Sequence, residues 1–405
     1  MGSQFHHSAT TVNLIEFIPF FDQSVSRWGL EARLIRWLVF LWLFIGLAVL
    51  FSASYPVAMV ERGDGLYYFK MQLLWAGIGL LAFQGMIHLP LRLSIKFSAI
   101  FLVLILGLLL ATHIPGVGET RNEATRWISI GSGSVLLQPS ELIKPFLLLR
   151  AAHLFGNWYN LSWRTRWVWL GIFVVCLLGI LLQPSLSVTA QCGITLWMMA
   201  WSAGLPLMQL LAVALMGCGT ALFSLTVREY QRRRVLSFMN PWADQAGDGY
   251  QLTQSLMAIG SGHIWGTGFG LSQQKLFLPV QYTDFIFAIF AEELGIVGGI
   301  ALIFLVLMFG AVGFMVARRC HNLTVRLVAV GATLMIVGQS FLNIGVATGV
   351  LPTTGLPFPF FSYGGSSLIS TLVIAGLLIR SAREMSTGEV IPLKPTRPNP
   401  SSRNL

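Results

Sequence analysis

Of 405 residues, 55% are hydrophobic and only 10% charged, and the formal net charge is +10. Apolar runs of about 18 or more residues recur along the whole length, which excludes a soluble domain. Because the runs are unbroken and not alternating, they also exclude a β-barrel. Four cysteines without paired spacing and seven scattered histidines point away from a disulfide framework and a zinc site.

The predicted fold is an all-α polytopic membrane protein, a single bundle of about ten transmembrane helices. The spans fall at 37–55, 70–88, 94–112, 135–153, 166–183, 186–203, 206–226, 285–316, 327–350 and 364–381. They form one membrane domain over 34–385, flanked by polar tails at 1–33 and 386–405 that read as poorly ordered. Arg33 and Arg36 precede the first span without a small-residue cleavage site, the pattern of a retained anchor. With the N-terminus inside, Lys and Arg in the connecting segments divide 16 inside to 9 outside, so both termini are expected in the cytoplasm. The positive charge is then mostly topology, and no nucleic-acid partner is implied.

Outside loops at 56–69 and 113–134 are of modest length. Gln138 and Pro139 open a span, a position where proline fits a helix start, and Gln183 and Pro184 open a short connection. Glu141 and Lys144 are three residues apart and share one helical face. Such charges must face the bundle or a wet cavity, as a structural ion pair or as part of a substrate cavity.

The segment 228–283, a large extracytoplasmic loop between the seventh and eighth spans, is too long to lack structure and too apolar to be disordered. Leu252, Leu256 and Ile259 predict a short helix on or in the outer leaflet, and glycines at 260, 262, 266, 268 and 270 then break it. No strand precedes "GTGFGL", so a nucleotide site is rejected, and those glycines read as backbone bending against the bundle. Arg232, Arg233 and Arg234 defy the inside bias; they suit either lipid headgroups or bidentate contacts to phosphate.

Asp284 stands where this polar segment gives way to an apolar span, either as an N-cap or as a functional carboxylate beside cations. Of Glu292 and Glu293, about 100° apart on a helix, at most one looks into the cavity of Asp284. The run "PTTGLPFPFFSYGGSS" from 352 to 367 is irregular backbone at membrane depth and therefore a cavity wall.

At "NIGVATGVLPTTGLPFPFFSYGGSS", from Asn343 to Ser367, the chain resembles the shape, elongation, division and sporulation (SEDS) family of cell-wall polymerases. Further matches are "TRWISI" at 125–130, "QPSELIK" at 138–144, "NPWAD" at 240–244, "GYQLTQS" at 249–255, "QKLF" at 274–277 and "TDFIFA" into "EELG". Their form is closer to the FtsW division branch than to its RodA-like relative. The resemblance implies a ten-helix glycosyltransferase of the bacterial inner membrane that polymerises lipid II into glycan strands at the septum. Implied partners are a class B penicillin-binding protein transpeptidase and other divisome membrane proteins.

The resemblance implies Asp284 as catalytic residue. The substrate-binding candidates, from charge placement and matched motifs together, are Arg126, Glu141, Lys144, Arg232, Arg233, Arg234, Gln251, Lys275, Glu293 and Ser362. The sequence demands no cofactor, although Mg2+ or Mn2+ bridging a substrate pyrophosphate suits the chemistry. Ser185, Ser187, Val280, Tyr282 and Glu123 depart from the family pattern, so roles of the family residues at those places do not carry over. Two other readings of the same features are a lipid II flippase, since charged residues and broken helices suit transport, and a non-catalytic division scaffold.

Overall fold

A computed structural model of the chain describes residues 22–387, apart from 115–116, 122–123, 131–134, 184 and 280. Glu123, Pro184, Val280 and the outer parts of both tails therefore lie outside the described residues. Twelve helices are described: α1 (Leu30–Arg62), α2 (Tyr67–His88), α3 (Leu91–Ala111), α4 (Pro139–Gly156), α5 (Trp163–Leu182), α6 (Leu186–Ser202), α7 (Leu207–Val227), α8 (Glu229–Met239), α9 (Tyr250–Ser261), α10 (Ile286–Arg319), α11 (Leu323–Ala347) and α12 (Gly365–Thr387). Eight are long and apolar enough to cross a membrane. The ten-span reading adds α4 and α6, of 18 and 17 residues. α4 begins at Pro139, the proline read as fitting a helix start, four residues later than the expected span 135–153, whose first residues, Val135–Leu137, form a strand instead; it buries Ser140, Glu141 and Lys144, which lowers its hydropathy.

The chain is an integral membrane protein built as one helical bundle. α11 and α12 lie at its centre, α12 against α2 and α11 against α10, whereas α7 buries only Leu210 and Ser224 and leaves its other faces outward. The wholly α expectation needs one addition. The loop 113–134 and the residues after it carry a small antiparallel sheet, β1 (Gly118–Arg121), β2 (Ala124–Ile130) and β3 (Val135–Leu137), in the order β1-β2-β3. Gly118 pairs with Ile128, and Ile128 with Leu137.

Two other expectations change. Residues 22–33 are ordered where a loose tail was expected: Asp22 is buried, accepting hydrogen bonds from Gln84 (2.6 Å) and Ser24, and α1 begins already at Leu30. And α9, expected on or in the outer leaflet, docks on the bundle instead, burying Leu252, Thr253, Ser255 and Ala258. Its Ser255 hydroxyl donates to the carbonyl of Ala347 at 2.8 Å.

The glycine run does bend against the bundle. α10 is broken at Gly295 (φ 66°), and its neighbours take hydrogen bonds from the loop: Thr267 N to Glu292 O at 2.9 Å, Gly268 N to Glu293 O at 3.1 Å. In return Ile296 N donates to His263 O at 3.0 Å.

Close backbone approach fixes the irregular run 352–364 against α1. A Cβ on Gly46 would lie 2.3 Å from the carbonyl oxygen of Phe360. Gly46→Ala is therefore expected to cost about 1–3 kcal/mol through overpacking, seen as a lower Tm in detergent. Gly77→Ala on α2, where a Cβ meets nothing within 4 Å, is the control and should leave Tm unchanged or raised.

Candidate active site

Gly355 marks the meeting point of the site. Its φ of +70° is a conformation that L side chains rarely adopt. A Cβ built there would lie 3.6 Å from Asp284 Oδ2, 3.8 Å from Arg234 Nη1 and 4.0 Å from Arg126 Nη1. One carboxylate and two guanidinium groups, drawn from three distant parts of the chain, thus surround one small volume that glycine leaves open.

Each is held by a different element. Asp284 sits in the turn ahead of α10, where Asn343 of α11 donates to its backbone carbonyl at 2.8 Å. The same Asn343 amide also donates to Leu356 O at 2.8 Å, so a single buried side chain joins the turn to the irregular loop. Ser362 completes the joint, donating to Thr283 O and accepting from Phe358 N at 2.7 Å. Arg126 projects from β2, its Nε donating to Gln183 O at 3.0 Å, and Gln183 in turn donates to Thr112 Oγ1 at 2.7 Å. Arg234 reaches in from α8 and donates to Thr353 O at 3.3 Å.

The side chain of Asp284 is half-buried. Burial pushes its carboxyl above the ordinary 3.8, and Arg234 and Arg126 pull against that rise. Its carboxylate can accept a proton, and the guanidinium pair can hold an anion with paired N–H donors.

The remaining candidates are placed apart. Arg232 and Arg233 are exposed, Arg233 lying 3.9 Å from Glu229, so the basic cluster divides and only Arg234 turns inward. Glu141 and Lys144 form a fully buried ion pair at 2.7 Å. Lys144 also donates to Gln339 Oε1 at 3.1 Å, and Gln339 donates to Pro357 O at 2.7 Å. This is an internal brace beneath the irregular loop, with about 1% of either residue exposed.

Glu292 and Glu293 diverge as their spacing requires. Glu292 accepts from Gln273 N at 2.9 Å, whereas Glu293 accepts from Ser52 and lies 3.8 Å from Lys275. Lys275 lines a separate cavity of about 220 Å3 with Phe51, Tyr55 and Phe269. Gln251 is half-buried at the start of α9.

Tyr282, one of the departures, stacks on Tyr68 with ring centroids 4.7 Å apart, and its carbonyl accepts from Tyr363 N at 2.8 Å. Ser185 is buried and Ser187 half-buried near the start of α6. Gln72 and Gln339 were not singled out from the sequence. Gln72 donates to Ser362 O at 3.0 Å and accepts from Gly364 N at 3.2 Å. Their only signal was an uncharged amide inside an apolar span, where burial demands a partner.

Among the described residues, no group of three or more His, Cys, Asp or Glu side chains could hold a metal ion. The groups around Asp284 are the cations Arg126 and Arg234, a poor cage for Mg2+ or Mn2+.

Fold and site together define an integral membrane protein with a carboxylate and two guanidinium groups brought together at one end of its bundle. The model of the FtsW/RodA/SpoVE cell cycle protein family matches residues 32–387, and the chain belongs to that family. It is 53% identical over 386 residues to a probable peptidoglycan glycosyltransferase FtsW of Synechocystis sp., covering 95% of this chain and 98% of that protein. A chain from a solved peptidoglycan synthase complex, described for its coordination of polymerization and crosslinking, has a TM-score of 0.68 at 29% identity over 87% of this chain and 97% of that one. Rod shape determining protein RodA of Thermus thermophilus gives 0.60 at 27% identity, over 86% and 96%.

Lys144→Met leaves Glu141 charged and unpaired in the interior, and is expected to cost about 3–5 kcal/mol. The double variant Glu141→Gln with Lys144→Met removes both charges and should recover most of that loss. Melting of the purified variants in one detergent measures both.

Proposed function

We propose that this protein is a peptidoglycan glycosyltransferase that polymerises lipid II into β1,4-linked glycan strands at the outer face of the bacterial inner membrane, during septal division. The observation that carries the reading is the convergence of Asp284, Arg126 and Arg234 around Gly355, in a chain half identical to a relative named for that activity.

The chemistry needs one base and a stabilised leaving group. Asp284 takes the proton from the 4-hydroxyl of the acceptor GlcNAc as that oxygen attacks the anomeric carbon of a MurNAc linked to lipid pyrophosphate. The new C–O bond forms on the face opposite the breaking bond, so configuration inverts, and the electron pair departs with the pyrophosphate. A glycosidase that inverts needs a second carboxylic acid because a sugar oxygen leaves poorly. Pyrophosphate leaves as a stable anion, so Arg126 and Arg234 replace that acid by neutralising its growing charge.

The cluster lies at one end of α10, not at its midpoint, which favours polymerisation at a surface over passage through the bundle. Likeness to a chain of a peptidoglycan synthase complex supports pairing with a class B transpeptidase. The bias of basic residues supports cytoplasmic termini and an outward-facing site.

Supplied with lipid II and its transpeptidase, Asp284→Asn should polymerise about 10²- to 10⁴-fold more slowly than wild type, the usual contribution of a general base. Wild-type rates from a folded Asn variant would refute the base. The pH profile gives a second check. The base works ionised, so the rate falls as pH drops through a carboxyl pKa raised above 3.8. Arg234→Gln removes a charge that favours ionisation, so the acidic limb should move to higher pH, whereas an unmoved limb would show that Arg234 does not act on Asp284.

A further inference from the structure

α10 ends at Arg319, about 36 Å along the helix from its break at Gly295 and at the end of the bundle away from Asp284. There α6, α10 and α11 enclose an open groove of about 420 Å3, within the range of small-ligand sites. Met198, Phe314, Val330 and Leu334 give it an apolar wall, and Arg318 and Arg326 supply its charge. No carboxylate lines it.

The two arginines are set apart from the ion pairing around them. Arg319, next to Arg318, is taken up by Glu31 of α1. Successive helical residues point about 100° apart, so Arg318 turns away from that pair. Arg326 is half-buried on the wall of the groove, where the outer N–H groups of its guanidinium can meet an anion.

We propose that this groove binds an anionic phospholipid of the cytoplasmic leaflet, its phosphate between Arg318 and Arg326 and an acyl chain along Phe314 and Leu334. Three observations select this occupant. The charge is purely cationic, which fits a phosphate. Four apolar side chains continue from the arginines, which a free anion would leave unused. And basic residues gather at this end of the bundle, which places the groove against the leaflet that carries acidic lipids.

The test uses the full chain in nanodiscs of phosphatidylcholine with a minor fraction of phosphatidylglycerol, counting lipids that stay bound by native mass spectrometry. Arg318→Gln with Arg326→Gln should lose one tightly held phosphatidylglycerol, with affinity at that site about tenfold or more weaker. Arg33→Gln with Arg164→Gln removes the same charge elsewhere on that side and should keep it. Leu334→Trp, which fills the groove and leaves both charges, should lose it too, with Tm confirming that each variant is folded. Unchanged retention in the arginine pair or in the filled variant would overturn the site, as would equal loss in the control pair. Displacement of the lipid by an equal concentration of inorganic phosphate would also overturn it, by making the groove a free-anion site.

Discussion

A handful of uncharged amides and hydroxyls allow non-helical backbone to exist at membrane depth here. The run from 352 to 364 exposes carbonyls and N–H groups that lipid cannot satisfy. Asn343, Gln339, Gln72 and Ser362 satisfy them from α11, α2 and the loop itself. Two of these, Asn343 and Ser362, simultaneously bind the carbonyls of Asp284 and Thr283. The position of the carboxylate is thus inherited from the same bonds that make the loop tolerable.

Charge is divided by depth. Arg126 is tied to a backbone carbonyl through Nε and Arg234 through Nη1, and the Nη1 atom of each lies beside Gly355. Such tethering keeps two like charges near each other, at a site where a dianionic group would relieve their repulsion. The buried pair Glu141 and Lys144 does the opposite job: it closes its charge internally and passes a neutral hydrogen bond, through Gln339, to the loop.

Much of this was legible in the sequence, because membrane spans and misplaced charges are strong signals. Asp284 stood out by its cost at a membrane boundary, and the arginine triplet by its violation of the inside bias. Which arginine turns inward was not legible, since three consecutive residues on α8 differ only by rotation about its axis. The strands β1 to β3 were missed because the loop 113–134 gave no length signal, although "TRWISI" has the alternation and β-branched residues of a strand. The docking of α9 was hidden by ambiguity: an apolar stripe suits a leaflet and a protein surface equally, and Ser255 bonding to Ala347 depends on tertiary neighbours. Glu141 and Lys144 read equally as cavity or brace until their burial was known.

The interruption of α10 at Gly295 carries its own remedy. Residues 263–268 of the loop are bonded to both sides of it by backbone groups, so N–H and C=O groups that leave the helical ladder there find partners inside the protein instead of facing lipid. The loop after α9 is thereby a splice in the helix wall, and the first turns of α10, next to Asp284, keep their place without an unbroken ladder behind them.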